Sequence, residues 1–226
     1  KTPMTSYHEY NKVEKARQLI GQLQAGKNIA LITDAGTPAI SDPGEVLVQM
    51  CHEQGVPVTS LPGAAACITA LTLSGLSTRR FCFEGFLPSE KKEKQQILEE
   101  LKEETRTMIL YEAPHHLVRT LTELYETVGN RKITLCRELT KIHEEVLRGK
   151  ISEMIEYYRE KSPKGEYVLV IEGASETEEE EITLEKACEM AENLISEGKK
   201  ASDACKEIAK LTGFAKSEIY NVVSKK

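Results

Sequence analysis

The sequence predicts an α/β fold made of two α/β units followed by a small helical tail. Three observations predict it: helix and strand patterns alternate over the first two thirds of the 226 residues, their connections are short, and four glutamates at 178–181 precede a purely helical end. Short strand–helix–strand connections favour right-handed crossovers between parallel strands. We therefore expect an N-terminal α/β domain over 1–77, a second over 78–174, an acidic linker over 175–182 and a helix-turn-helix-like tail over 183–226.

The first unit begins with a polar helix that carries an apolar stripe and stops at a glycine. A short continuous apolar run follows, which is typical of a parallel strand buried on both faces. The elements expected in this unit are, in order, a helix over 11–25, a strand over 28–33, a helix over 45–54, a strand over 57–61 and a helix over 64–73.

The second unit restarts the alternation near Thr78, and the tail has helical patterns only. The strands expected in the second unit are 81–86, 107–112, 132–138 and 167–172, and its helices are 89–104, 115–128 and 151–160. The tail helices are expected over 184–197, 202–211 and 216–224.

Composition narrows the class of protein. The chain is 40% hydrophobic and 29% charged, the mix of an ordinary globular protein. It has no apolar run near the roughly 20 residues that span a bilayer, and its first residues show no apolar signal core, so neither a membrane nor secretion is expected. Six scattered cysteines without a C-x-x-C pair favour a reduced, cytoplasmic setting. A net charge of −6 argues against indiscriminate nucleic-acid binding.

Two strand-to-helix loops are the candidate ligand-binding segments. The first, T-D-A-G-T-P-A-I-S-D-P-G over 33–44, follows a predicted buried strand, where open α/β sheets bind ligands. Its glycines allow close backbone approach, and Asp34 offers an acceptor for an ammonium or hydroxyl group. The second, L-P-G-A-A-A over 61–66, leaves space at a helix start for a planar group or a carboxylate. Ordinary turns and tight helix–sheet packing would use the same residue types.

Other kinds of site are not expected. The sequence contains neither a P-loop nor a G-x-S-x-G nucleophile turn, which excludes those NTPase and hydrolase classes. The pair His115-His116 lacks metal-ligand spacing, so we expect no bound metal.

Five motifs occur in a fixed order along the chain: T-D-A-G-T-P-A-I-S-D-P-G, L-P-G-A-A-A, F-x-F-x-G-F-L-P, L-Y-E-A-P-H-H-L and C-R-E-L-T-K. Together they resemble the 16S rRNA cytidine 2′-O-methyltransferase branch of the tetrapyrrole-methylase superfamily. The resemblance implies two α/β domains with S-adenosylmethionine (AdoMet) bound in the cleft between them. It also implies 16S rRNA or the small ribosomal subunit as the substrate, and a homodimer.

The resemblance assigns the cofactor contacts motif by motif. The methionine part of AdoMet would be held by Asp34, Ala35, Gly36, Thr37 and Ile40, with Ala65 and Ala66 beside it. The adenosine would be flanked by Tyr111, Glu112, Leu139 and Gly173. Family members carry a further strand and a glycine-rich loop upstream of S-Y-H-E, whereas this chain starts just before that segment. We therefore expect its sheet to lack one strand and its cofactor pocket to lack one wall.

Candidate catalytic and RNA-binding residues complete the predicted site. A ribose hydroxyl needs a base to take its proton, and His8 and Glu9 of the S-Y-H-E segment are the candidates. RNA contact is expected from Arg79, Arg80, Arg137, Lys141 and Lys216, each of which is otherwise an ordinary solvated charge.

The tail shows a second nucleic-acid pattern. Ala209, Gly213 and Ile219 have the small–glycine–branched spacing of a helix-turn-helix, and Lys216 opens its last helix. RNA docking by this tail is one interpretation, and a cap that stabilises the fold or a dimer is the other. Two other functions remain open at this point: methylation of a corrin or porphyrin precursor, and nucleic-acid binding without catalysis.

Overall fold

The computed structural model describes residues 2–175, 184–196 and 198–224. Contacts group the chain into two units, Lys1–Ala174 and Ser175–Lys226, which we call the body and the tail. All of the predicted acidic linker except Ser175 lies outside the described residues.

The described part of the body forms six helices and five strands. The helices are α1 (Lys12–Gln24), α2 (Glu45–Glu53), α3 (Ala66–Ser74), α4 (Lys91–Glu103), α5 (Leu117–Val128) and α6 (Ile151–Glu160). The strands are β1 (Phe81–Phe86), β2 (Thr107–Glu112), β3 (Lys132–Arg137), β4 (Glu145–Lys150) and β5 (Tyr167–Ile171). The sequence does not predict strand β4. This strand lies at the edge of the sheet and pairs on one side only, and its charged sequence lacks the apolar pattern by which the other strands are predicted.

The five strands form one mixed sheet in the order β1-β2-β5-β3-β4. The parallel pairing that the sequence predicts is present between β1 and β2, whereas β5 is antiparallel to both β2 and β3, and β4 to β3. Strands β1, β2 and β3 therefore run in the same direction and end at the same edge. We call this the carboxyl edge and the opposite one the amino edge.

Helices cover both faces of the sheet. Helices α4, α5 and α6 pack on one face, and α3 packs on the other. The side chains of β2 alternate between the faces as a strand requires, so that Met108 and Leu110 point to the three helices while Ile109 and Tyr111 point to α3. Both faces of the central strands are thus apolar, which explains why their sequences are continuous apolar runs.

The strands predicted over 28–33 and 57–61 are wrong. Neither segment is hydrogen-bonded to a neighbouring strand within the described residues, and a strand exists only through such pairing. Their apolar side chains are accordingly not buried, since Ile32 is 70% exposed and Leu61 83% exposed. An apolar run of this kind forms a strand only when a neighbouring strand is available for backbone hydrogen bonds.

Helix α3 links the first part of the body to the sheet. The Thr134 hydroxyl donates to the Ser74 carbonyl at 3.1 Å, and the Arg148 guanidinium donates to the Leu73 carbonyl at 3.1 Å. These side chains satisfy carbonyls at the end of α3 that have no partner within the helix. Helices α1 and α2 pack on each other through a separate small cluster that includes Leu19 and Leu47. The domain boundary between 77 and 78 stays a prediction.

The described part of the tail forms three helices, α7 (Leu184–Ser196), α8 (Ala201–Thr212) and α9 (Lys216–Val223). Gly213 ends α8 in the left-handed conformation, with φ 76°, and Ile219 is fully buried between the helices. These are the positions that a helix-turn-helix spacing gives to its glycine and its branched residue. Among the described helices of the whole chain, none combines the length and the apolar character needed to cross a membrane.

Candidate functional site

The loop over 34–44 has a strained backbone. Ala39 and Ser41 have φ values of 68° and 59°, in the left-handed region that residues other than glycine seldom adopt. Gly36, with φ 79°, adopts the same region without strain. Because such strain persists only where its surroundings hold it, this loop is a candidate for function.

The second predicted loop lies directly against the first. The Thr37 hydroxyl donates to the Ala64 carbonyl at 3.0 Å. A Cβ added to Gly36 would lie 3.2 Å from the same carbonyl oxygen, and one added to Gly63 would lie 3.2 Å from the Thr37 hydroxyl. Small residues are therefore needed where the two loops meet.

Tyr111, at the end of β2, connects these loops to the carboxyl edge. Its hydroxyl accepts a hydrogen bond from the Cys67 amide in the first turn of α3 at 3.0 Å. Its ring makes edge-to-face contacts with Phe83 and Phe86, with centroid distances of 5.0 and 5.6 Å. Burial raises the pKa of Tyr111 to about 12, and the nearby Asp42 carboxylate acts in the same direction. The hydroxyl is therefore neutral at physiological pH.

The segment that follows β3 also lies at the carboxyl edge, beside Tyr111 and the start of α3. Leu139 packs with Ala65 and Tyr111 against the cluster beneath α3. The Glu138 amide donates to the Glu166 carbonyl at 3.0 Å, which brings the turn before β5 beside Leu139. The sequence does not predict that this turn belongs to the site: Ser162, Pro163 and Gly165 indicate a turn, but nothing local shows that it lies beside Leu139.

Two predicted cofactor residues are placed differently from the rest. The Glu112 carboxylate points away from Tyr111, accepting hydrogen bonds from the Thr120 hydroxyl and from the amide of Ala113 at 2.5 and 2.8 Å. Gly173 follows the antiparallel strand β5 and therefore lies at the amino edge, packed against the Thr105 carbonyl. Asp34, Ala35, Ile40 and Ala66 are exposed around the loops, and no side-chain hydrogen bond or ion pair to a described residue involves the Asp34 carboxylate.

The predicted catalytic pair makes local contacts only. The His8 amide donates to the Asn11 side chain at 2.8 Å, and the His8 ring lies edge-to-face with Tyr10. Glu9 forms an ion pair with Lys12. Within the described residues, no hydrogen bond or ion pair joins either side chain to the loops at the carboxyl edge.

The predicted RNA-binding cations fall into two groups. Arg137 is paired with Glu145 at 3.5 Å, and Lys141 lies 2.9 Å from both Glu138 and Glu166. In contrast, the side chains of Arg79 and Arg80 are exposed at the amino edge and have no hydrogen-bond or ion-pair partner within the described residues. In the tail, the exposed Lys216 donates to the Ser202 hydroxyl at 2.8 Å.

The fold and these loops match known proteins. Residues 1–155 match the family model described as tetrapyrrole (corrin/porphyrin) methylases. The chain belongs to the tetrapyrrole methylase family. Family membership makes it a methyltransferase whose methyl donor is AdoMet, in agreement with the motifs.

Relatives within this family are similar over nearly the whole chain. The ribosomal RNA small subunit methyltransferase I of Synechocystis is 45% identical, covering 98% of this chain and 80% of the relative. The protein of the same name from Bacillus subtilis is 46% identical, covering 97% of this chain and 77% of the relative. The crystal structure of the methyltransferase CobJ, 17% identical, superposes with a TM-score of 0.57 and covers 76% of this chain and 74% of its own. That likeness supports the methylase fold.

The residues at the carboxyl edge fit AdoMet. Ala35 and Gly36 are exposed, so a ligand can approach the backbone of the 34–44 loop there. Asp34 presents a carboxylate with no side-chain partner within the described residues, which suits a ligand ammonium group. Leu139 and Tyr111 present apolar surface, which suits a planar base.

Proposed function

We propose that this methylase acts on RNA of the small ribosomal subunit and that its acceptor is the 2′-hydroxyl of a cytidine ribose in 16S rRNA. The names of the relatives from Synechocystis and Bacillus subtilis support the RNA class, and the five ordered motifs support the 2′-hydroxyl. The observation that carries the proposal is the convergence of the 34–44 loop, the start of α3, Tyr111 and Leu139 at one edge of the sheet.

The loops at this edge hold and align the reactants. AdoMet supplies a methyl group made electrophilic by a positively charged sulfur. Asp34 binds the ammonium group, and the backbone of Ala35, Gly36 and Thr37 follows the methionine chain. Leu139 packs against the base. Alignment of the acceptor oxygen with the methyl–sulfur bond is worth several orders of magnitude in rate, because it replaces a chance encounter by a fixed geometry.

Proton removal is the second requirement. As the acceptor oxygen bonds to the methyl carbon, the carbon–sulfur bond breaks and the hydroxyl proton must leave. We propose His8 or Glu9 as the base, although both have only local contacts without the substrate. His8→Ala is expected to lower turnover about 100-fold, the lower range for a lost general base. His52→Ala, an exposed histidine on α2, is the control. Full turnover in His8→Ala would remove His8 from the mechanism.

RNA contact is proposed for Arg79 and Arg80 in the body and for Lys216 in the tail. Phosphate contacts position an RNA without reading its sequence, so they need not lie at the methyl acceptor. Replacing both arginines by alanine is expected to reduce the salt dependence of RNA binding by about one unit of slope per lost contact. Arg159→Ala, at another exposed arginine, is the control. An unchanged salt slope in the double variant would contradict the proposal.

The methylation itself is tested with AdoMet that carries a tritiated methyl group. We expect label in 16S rRNA of small subunits, at one nucleotide whose 3′ linkage resists alkaline hydrolysis, because a 2′-O-methyl group blocks that cleavage. Asp34→Asn is expected to lose label transfer. Label on a uroporphyrinogen-type acceptor instead would favour the tetrapyrrole alternative. Nucleic-acid binding without catalysis is not retained, because the family is one of methyltransferases.

A homodimer in the cytoplasm is the assembly and compartment that we propose. The homodimer comes from the resemblance, and the compartment comes from the scattered cysteines, which the sequence leads us to expect in reduced form. Five of the six cysteines are buried, and none of the six forms a disulfide within the described residues. Sedimentation at several protein concentrations tests the assembly, and a mass of 25.3 kDa at all of them would contradict a dimer.

A further inference from the structure

The segment between β3 and β4 leaves the sheet in an unusual conformation on both sides of Leu139. Glu138 has φ 49° and Thr140 has φ 64°, so two residues other than glycine adopt the left-handed region. Such a conformation is unfavourable for residues with a Cβ and needs contacts that hold it. Leu139 lies between them and packs, as Ala65 and Tyr111 do, against the apolar cluster beneath α3, at the edge where the cofactor is proposed to bind.

The contacts that hold this segment centre on Lys141. Its ammonium lies 2.9 Å from Glu138 Oε1 and 2.9 Å from Glu166 Oε2. Glu138 Oε1 also accepts from the Glu166 amide at 2.9 Å, while the Glu138 amide donates to the Glu166 carbonyl at 3.0 Å. The Lys141 amide itself bonds to the Glu138 carbonyl at 3.0 Å. Lys141 therefore joins the end of β3 to the turn before β5, and we call these three side chains the Lys141 clamp.

Gly165 makes room for the clamp. It has φ 78°, and a Cβ at this position would lie 2.6 Å from Glu138 Cδ, so a side chain here would displace the Glu138 carboxylate. The absence of a side chain lets the Glu138 carboxylate fold over the turn and reach the Glu166 amide. On the other side, the Thr140 amide donates to the Glu144 carboxylate at 2.6 Å, so each of the two left-handed residues is held by a hydrogen bond to a side chain or to the neighbouring turn.

The clamp is too exposed to contribute much to the stability of the fold. The side chains of Lys141 and Glu166 are 49% and 83% exposed, and ion pairs of this kind add little free energy of folding. Their effect falls instead on the conformation of one short segment, because they join Glu138, which has a left-handed backbone, to the turn before β5. The backbone amide of Glu166 and the Lys141 ammonium together hold the pKa of Glu138 below its usual range, so the pair is ionised at neutral pH.

We propose that Lys141 is a positioning residue for the cofactor, which fixes Leu139 through Glu138 and Glu166, and that it is not an RNA contact. This inference rests on the proposed placement of AdoMet at the carboxyl edge. It replaces the expectation from the sequence that Lys141 binds phosphate, because the Lys141 ammonium is already paired with two carboxylates.

The test uses the full chain with Lys141→Met, Lys141→Arg and a matched control, Lys132→Met. Lys132 forms a similar exposed pair with Glu172 at 3.2 Å, but at the amino edge. The dissociation constant of AdoMet is measured by calorimetry, and that of small-subunit RNA by filter binding. We expect Lys141→Met to weaken AdoMet binding about tenfold, or about 1.4 kcal/mol, with RNA affinity unchanged within twofold. Lys141→Arg is expected to restore most of the AdoMet affinity, and Lys132→Met to change neither constant.

Other outcomes separate the clamp from the proposed function. Unchanged AdoMet affinity in Lys141→Met would overturn the positioning role, and a loss of RNA affinity alone would assign Lys141 to RNA. If the unaltered chain binds no AdoMet, the proposed placement of the cofactor is wrong, and so is the positioning role of the clamp.

Two controls separate the clamp from a general defect. A folding defect of the variant would lower its melting temperature. In 1 M salt, screening should reduce the tenfold difference between Lys141→Met and the unaltered chain, whereas a defect of packing would persist.

Discussion

The Tyr111 hydroxyl accepts a hydrogen bond from the Cys67 amide at 3.0 Å, and this contact joins the end of β2 to the first turn of α3. The two residues are 44 positions apart in the sequence, so the bond ties the loop before α3 to the sheet. Because burial raises the pKa of Tyr111 to about 12, the hydroxyl stays neutral. Nothing in the contact therefore changes charge across the physiological range.

Removal of this hydroxyl tests its role. Tyr111→Phe keeps the ring against Phe83 and Phe86 but leaves the Cys67 amide without its partner. We expect a loss of about 1 kcal/mol in the free energy of unfolding, the usual size for one hydrogen bond, together with weaker AdoMet binding. Urea denaturation and calorimetry measure the two. Tyr125→Phe removes an exposed hydroxyl that has no partner within the described residues, and equal losses in both variants would contradict the assignment.

Strand direction explains where the structure places the predicted site residues. The parallel pairing of β1 and β2 places Tyr111 at the carboxyl edge, and its hydroxyl meets the start of α3 there. The direction of β5 has no local signal. Since it is antiparallel, Gly173 lies at the amino edge and the turn with Gly165 lies beside Leu139. The apolar run over 28–33 is also predicted wrongly from its own residues, because strand formation depends on a neighbouring strand that the local sequence does not reveal.

The shape of the 34–44 loop can be tested at Gly44. A Cβ there would lie 2.8 Å from Ala39 Cβ and 2.9 Å from Leu31 Cδ2, so Gly44→Ala must displace the strained loop. We expect it to lower the free energy of unfolding by about 1–3 kcal/mol and to weaken AdoMet binding at least about tenfold.

The matched control for Gly44 is Gly21→Ala in α1. A Cβ at Gly21 meets no atom within 4 Å, and alanine is the better residue inside a helix. In this variant the free energy of unfolding should rise by about 0.5–1 kcal/mol, and the AdoMet affinity should equal that of the unaltered chain. Equal losses of stability and of AdoMet affinity in Gly44→Ala and Gly21→Ala would contradict this explanation, because an added Cβ is crowded only at Gly44.

The free energy of unfolding of the body should fall at acid pH, and Glu104 should account for part of this loss. The Arg106 guanidinium lowers the pKa of this carboxyl from 4.5 to about 2. A lowered pKa stabilises the folded state above pH 4.5, and that contribution disappears as the pH falls from 4.5 to 2. We expect Glu104→Gln to cost on the order of 1 kcal/mol at pH 7, discounted because Arg106 is 41% exposed, and almost nothing at pH 2.

Denaturation of Glu104→Gln and of the unaltered chain at pH 7, 4 and 2 measures this difference. Glu156→Gln, at an exposed glutamate without an ion pair to a described residue, should show no such trend. A difference that stays constant from pH 7 to 2 would show that Glu104 acts through packing and not through its charge.

The tail offers a test that separates RNA binding from methyl-donor binding. Ile219 is fully buried among α7, α8 and α9, so Ile219→Ala should destabilise the tail by about 2–5 kcal/mol. If the tail docks RNA through Lys216, this variant should lose RNA affinity, because the last helix no longer holds its position. Its AdoMet affinity should stay unchanged, since the body forms its own compact unit. Val222→Ala, at a side chain that is 41% exposed, is the control and should alter neither affinity. RNA affinity that survives in Ile219→Ala would favour the other interpretation, in which the tail is a stabilising cap and the RNA is bound by the body alone.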